Sequence, residues 1–336
     1  MNSDRSVLVT GGGGFLGKAI VRMLCERGEQ VRSLSRGQYP ELAAMGVKHI
    51  SADLGDAAAV AKACRNVEAV FHTAAKPGVW GKFDAYYQAN VQGTENVIAA
   101  CRRQGVARLI YTSSPSVIFN GGDMENVDES APYPAHYEAH YPRTKAMAER
   151  AVLQAARTGL PAVILRPHLI WGPEDPHLIP RLLARASRLR RIGKRDNRVD
   201  TVYVDNAAHA HLLAEEKLKE DPCLSGRIYF ISQDDPISMW EMIDRILAAG
   251  GRPPVRGAIS PAVAHAIGAT LETLYKLLGI KTEPPITRFV ANELATAHWF
   301  NIEAAKRDLG YQPLVSIDEG LKRVSEWLLA YSGSKS

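Results

Sequence analysis

Short aliphatic, β-branched runs alternate with stretches of helical periodicity through the first half of the chain. SVLVT (6–10), QVRSLS (30–35), VKHIS (47–51), EAVFHT (68–73) and ARLIYTS (107–113) have the composition of buried strands. Between them, residues 15–27, 56–64 and 84–104 place apolar positions at helical spacing. A sixth strand, AVILRP (162–167), follows a helix that starts near residue 142. Such alternation predicts an α/β fold, a parallel sheet with helices on both faces. Right-handed crossovers make it doubly wound, with ligands at the carboxyl ends of the strands.

After about residue 170 the pattern changes and prolines punctuate it. Two late runs, DTVYV and RIYFIS, predict strands near 199–204 and 227–232 that extend the same sheet. The remainder reads as a smaller, mostly helical lobe over 171–330. Within it, 261–279 carries Ala262, Val263, Ala266, Ile267, Leu271, Leu274, Leu277 and Leu278 as a helical apolar stripe. That stripe suits a lid over apolar chains, a core-facing helix, or a contact with a membrane surface or partner enzyme. The basic run RLLARASRLRRIGKR (181–195) suits a carboxylate, an acidic partner or plain solvent.

Composition narrows the classes. With 336 residues and 46% apolar content the chain can bury a large core, and 23% charged residues exclude disorder. A formal net charge of +5, spread along the chain, fits an anionic ligand and excludes a nucleic-acid partner. Cys25, Cys64, Cys101 and Cys223 lie far apart with no CxxC spacing, as in reduced cytoplasmic proteins. No charged segment followed by a long apolar one opens the chain, so no signal peptide is expected. No window reaches the ~18 apolar residues of a membrane span. The ten histidines are scattered, and no metal site is predicted.

The chemistry-bearing stretches follow the strands. VTGGGGFLG closes the first strand and opens a helix, with Gly11, Gly14 and Gly17 spaced as in a Rossmann dinucleotide loop. Gly13, Phe15 and Leu16 complete the turn that meets the pyrophosphate. Residues 1–170 therefore read as the dinucleotide-binding core, and 171–330 as the substrate side. After the second strand, Ser35 and Arg36 stand where NAD-binding chains carry an acid, and a guanidinium there suits the 2′-phosphate of NADP(H). Asp53 and Leu54 are placed for the adenine. Ala74 and Ala75 are small where cofactor approaches backbone.

In HYPRTK, Pro142 marks a helix start, because proline suits the first turn. Tyr141 and Lys145 then share a face at i and i+4, while Tyr137 falls in the preceding loop. A cation beside a phenol lowers its pKa and readies it as a proton donor. Ser113, Ser114 and Ser116 are all candidates for holding a substrate oxygen, and strand pattern alone does not choose.

Taken together, TGGGGFLG, YTSS (111–114), YPRTK (141–145), RPHLIWGP (166–173) and YVDNAAHAH (203–211) resemble the extended short-chain dehydrogenases/reductases, in the 3β-hydroxysteroid dehydrogenase-like branch. KPGVWG (76–81), RGQYPEL (36–42), RPHLIWGPEDPHLIPRL (166–182) and ITRFVANELATAHWF (286–300) are similar to bacterial reductases of 2-alkyl-3-oxoalkanoic acids in long-chain olefin (β-lactone) biosynthesis. The resemblance implies Tyr141 as proton donor and Lys145 as the residue on the nicotinamide ribose. It implies Ser114 as the serine on the substrate oxygen, and Pro167, His168, Leu169 and Ile170 along the nicotinamide. It implies NADPH-dependent reduction of a long-chain apolar keto acid, a homodimer, contact with other enzymes of the pathway and optional peripheral membrane contact. A hydroxysteroid or sterol dehydrogenase and a nucleotide-sugar epimerase are the alternatives.

Overall fold

The computed structural model describes residues 6–333. Seven parallel strands form the main sheet: β1 (Ser6–Thr10), β2 (Gln30–Ser35), β3 (Lys48–Ser51), β4 (Ala69–His72), β5 (Arg108–Thr112), β6 (Ala162–Pro167) and β7 (Ile228–Ile231). Their order is β7-β6-β5-β4-β1-β2-β3. The order reverses between β1 and β4, and a crevice opens there at the carboxyl ends of the strands.

Alternate side chains build two cores. Val7, Val9, Phe71, Ile110, Val163 and Leu165 point to one face. There α1 (Phe15–Glu26) and, much later in the chain, α5 (Val204–Glu220) pack on the sheet and on each other. Leu8, Leu34, Val70, Leu109 and Ile164 point to the other face. That face is covered by α2 (Ala57–Ala63), α3 (Gly93–Gln104) and α4 (His140–Arg157). A π-helical turn, Tyr87–Gln92, leads directly into α3.

The second half is more mixed than its pattern suggests. Ile228–Ile231 joins the main sheet beside β6. Residues 199–204 do not, which corrects the expectation of a strand there extending it. Val199 pairs with Ile237 and His298 in a small separate sheet, while Val202–Tyr203 pairs with Ile170–Trp171. β7, not 199–204, takes the free edge of β6.

Helix α6 (Pro261–Leu277) turns most of its apolar stripe outward: Val263, Ile267, Leu274 and Leu277 are exposed. Its inner face is the narrow line Ala264, Gly268, Glu272. Gly268 crosses the backbone of Thr287 so closely that a Cβ there would lie 2.7 Å from a carbonyl carbon. Glu272 fixes the start of α7 (Arg288–Ala295) by accepting from the Arg288 backbone N–H at 2.7 Å and from its guanidinium. The basic run is largely engaged within the chain. Arg181 meets Glu283, Arg191 meets Asp244, and Arg195 meets Asp123 and Glu125.

Candidate active site

The glycine loop joins β1 to α1 at the crevice. Gly11 has φ +73°, and a Cβ on it would lie 2.9 Å from the backbone of Ala74. A Cβ on Gly17 would lie 2.1 Å from the Gly11 carbonyl oxygen, so helix and loop touch backbone to backbone. The ring of Tyr39 lies against Gly13. Helix α1, which begins with Phe15 and Leu16, has no side-chain cap and no acid in its first turn. Its free N–H groups and dipole suit a pyrophosphate, and the residues present fit a bound dinucleotide.

The β2 end lies alongside. Ser35 Oγ accepts from the Gly13 N–H at 3.1 Å. The backbone of Arg36 is fixed by Ser51, whose hydroxyl donates to its carbonyl at 3.0 Å. The Arg36 side chain is exposed and has no ion-pair partner among the described residues. Asp53 is exposed beyond β3 and accepts from the Gly55 N–H at 2.8 Å. Leu54 is buried, and its carbonyl accepts from Asn96 at 2.7 Å. Ala74 and Ala75 follow β4, partly buried, beside the glycine loop.

Tyr141 and Lys145 stand on the first turns of α4. The helix starts at His140, so Pro142 is its third residue and needs no N–H partner. Tyr137 lies in the loop before it and donates to the Val117 carbonyl at 3.0 Å, which gives it a packing task. Lys145 is buried, with its ammonium donating to the Thr112 carbonyl at 2.5 Å and lying 4.4 Å over the Tyr111 ring. Burial pulls its pKa down to about 7, and Glu149, one turn on, partly opposes this. Burial pushes the Tyr141 phenol up to about 12, against a hydrogen bond with Ser114 that lowers it.

That bond separates the three serines. Ser114 caps the short turn Pro115–Ile118 and shares a 2.9 Å bond with Ser116 while reaching Tyr141. Ser113 is buried, with no partner for its hydroxyl among the described residues. On the far wall, Pro167 ends β6 and His168 is half-buried, its imidazole held well below the usual range by desolvation. Leu169 adopts φ +43°, a left-handed conformation rare for a bulky residue, before Ile170 enters its strand. Strain of this kind is kept where the chain must hold a shape for a ligand.

One residue of the site escaped the sequence reading. Asn90 sits buried in the π-helical turn and accepts from the Lys76 N–H at 2.6 Å. It donates to the Lys76 carbonyl at 3.3 Å and to Thr144 Oγ1 at 3.0 Å. The only signal was an asparagine inside an otherwise helical run. A π turn at a functional site is the kind of irregularity that periodicity averages away.

Residues 8–254 match the 3-beta hydroxysteroid dehydrogenase/isomerase family. The chain belongs to this family. It is 52% identical over 322 residues to the 2-alkyl-3-oxoalkanoate reductase of Stenotrophomonas maltophilia (strain K279a), covering 95% of this chain and 98% of that one. It is 48% identical to the Shewanella oneidensis protein of the same name, over 94% of this chain and 84% of that one. A mouse (Mus musculus) sterol-4-alpha-carboxylate 3-dehydrogenase, decarboxylating, is 35% identical over 96% and 91% of the two chains. Among solved structures, MoeE5 in complex with UDP-glucose and NAD superposes with a TM-score of 0.75 at 25% identity, over 98% of this chain and all of that one. As a member of this family the protein is an oxidoreductase that works with a nicotinamide cofactor. No helix among the described residues is long and apolar enough to cross a membrane.

Proposed function

We propose that this protein reduces the 3-keto group of 2-alkyl-3-oxoalkanoic acids to the 3-hydroxy acid, with NADPH as reductant, in olefin and β-lactone hydrocarbon synthesis. The observation that carries the reading is Tyr141, its phenol pKa raised by burial and lowered by neighbouring Ser114, one turn before buried Lys145, in a chain 52% identical to a reductase of that name.

NADPH supplies the hydride to the carbonyl carbon. Tyr141 then gives its phenolic proton to the oxygen that becomes negative, and Ser114 donates to the same oxygen. Burial keeps the phenol protonated through the neutral range, so it enters the reaction as an acid. Lys145, charged below about pH 7 in the free protein, is pressed toward its charged form by anionic cofactor phosphates. Its cation favours the tyrosinate left after transfer. The sheet half holds the cofactor, and α6 with α7 closes the substrate side.

NADP(H) is favoured over NAD(H) by Arg36, exposed and without an ion-pair partner among the described residues where a 2′-phosphate would meet a bidentate donor, and by Ser35 in the usual place of an acid. A cytoplasmic setting is supported by four free cysteines. A second reading, a hydroxysteroid or sterol dehydrogenase, is favoured by the family match and the 35% identical sterol relative. The names of the two groups of relatives share one chemistry: a carboxylate on the carbon next to the reacting C–O centre. Purified protein should oxidise NADPH faster with a 2-alkyl-3-oxo acid than with a 3-ketosteroid, and faster than NADH with the same acid. Turnover of the steroid alone would move the assignment to the second reading.

A further inference from the structure

The chemistry above leaves one cation of the crevice without a task. Lys76 follows Ala75 and is partly buried. Asn90 grips its backbone on both sides, at 2.6 Å to the N–H and 3.3 Å to the carbonyl. The same Asn90 amide donates to Thr144, and the Thr144 hydroxyl lies 3.1 Å from the Tyr141 carbonyl. Asn90 and Thr144 thus tie the place of Lys76 to that of Tyr141. Pro77 restricts Lys76 to extended backbone. The loop beyond is pinned at Trp80, whose indole donates to the Ile280 carbonyl at 3.2 Å and whose own carbonyl accepts from Tyr86 at 2.9 Å.

The Lys76 ammonium lies 5.1 Å over the Tyr86 ring. Among the described residues it has no hydrogen-bond or ion-pair partner. Of the other cations nearby, Arg143 and Lys276 are exposed and lie over the rings of Phe83 and Trp80, and the remaining two are held by oxygen partners. Lys145 binds the Thr112 carbonyl, and Arg181 holds Glu283 with two bonds of 3.2 Å. The carboxyl whose charge acts on Tyr141, Glu293, is lifted by burial to about 8 and is therefore mostly neutral at pH 7. The carboxylate at this edge, Glu283, is answered by Arg181, which leaves Lys76 without a carboxylate partner among the described residues.

We propose that Lys76 binds the carboxylate of the 3-oxo acid whose keto oxygen rests on Tyr141 and Ser114, and thereby selects acids over neutral ketones. The inference rests on the functional reading above and names the group that recognises its substrate class. A carboxylate two bonds from the keto carbon has little freedom once the keto oxygen is placed. It must fall beside Tyr141, and Lys76 is the partly buried donor there, its ammonium without a hydrogen-bond or ion-pair partner among the described residues, with three N–H bonds on a mobile stem anchored by a fixed backbone.

The test uses the full-length protein with NADP+ and two stable probes, a 2-alkyl-3-hydroxyalkanoic acid and its methyl ester, followed by NADPH absorbance. The wild type should prefer the acid. Lys76→Gln should raise KM for the acid about 10–100-fold, the worth of one charge-assisted hydrogen bond, with kcat much less affected. Turnover of the ester should be unchanged, which also shows that the variant is folded. Lys76→Arg should restore part of the preference. Equal losses on acid and ester, an unchanged acid KM, or a rise in KM for NADP+ instead would each overturn the assignment. A wild type that oxidises neither probe would remove the functional reading itself. A wild type active on the acid with an indifferent Lys76→Gln variant would remove only the role of Lys76.

Discussion

Replacing Glu149 by glutamine would strand a guanidinium in the core. Arg166 and Glu149 are 1% and 0% exposed, and Arg166 donates twice to the carboxylate, at 3.1 and 2.5 Å. Tyr133 adds a third donor to the same carboxylate at 2.5 Å. Breaking a buried pair on one side costs ~3–5 kcal/mol, because the surviving charge keeps its desolvation penalty. At the usual unfolding entropy per residue, a chain of 336 residues would melt about 4–7 °C lower. The pair joins α4, which carries Tyr141 and Lys145, to β6, which leads into Pro167 and His168, so part of the loss falls on the site. Removing the carboxylate also removes the charge that raises the Lys145 pKa. Calorimetry of the cofactor-free protein reads the stability. The paired variant Glu149→Leu with Arg166→Met should lose less than either single change, since no buried charge survives in it. The reasoning fails if the single variant loses less than ~1 kcal/mol, or if the double loses the sum of both.

Tyr141→Phe should lower kcat about 10²–10⁴-fold, the usual worth of a positioned proton donor, with NADPH affinity by fluorescence titration unchanged. Lys145→Met should melt higher than wild type at pH 6, because the folded protein binds the lysine proton at about 7 against 10.5 in the unfolded chain. The unfolded chain therefore holds the extra proton between those values, so wild-type stability rises with pH there and the gap should narrow from pH 7 to pH 10. Melting curves at four pH values would decide it, and a gap that widens would reverse the sign argued here. Arg36→Ala should raise the KM for NADPH roughly 10–100-fold and leave that for NADH unchanged. Steady-state rates with both cofactors measure this.

The central strands β1, β4, β5 and β6 were legible because they are buried on both faces and read as short, mainly apolar runs, whereas β2 and edge β3 are partly exposed and mixed. The glycine loop was legible because its spacing is dictated by backbone contacts that any side chain would break. Pro142 located Tyr141 by a local rule. Choosing among the three serines was beyond local rules, because the partner that distinguishes Ser114 lies on another element. Asn90 was missed for the same reason: its bonds run to Lys76 and Thr144, 14 and 54 residues away. The apolar stripe of α6 matched several fates by pattern, and packing sets aside the core-facing one, because the buried line is Ala264, Gly268 and Glu272 while the stripe faces outward.

Helix α5 has a consequence for how the chain acquires its shape during synthesis. Its His211 shares a 2.8 Å bond with Thr112, and its Glu215 accepts from Arg108 at 2.6 Å. Both partners belong to β5, at the centre of the half that appears first. A nascent chain that has reached residue 170 has six of the seven strands but not the helix that covers Ile110, Val163 and Leu165. It also leaves the β6 edge open, because β7 has yet to be made. At the ~5–20 residues per second of translation, this sheet waits roughly 3–12 s for residues 204–231. During that interval a bare apolar face and an unpaired strand are presented to the cell together. The first half of the chain, contiguous as it looks, locks only when the second half supplies its last wall.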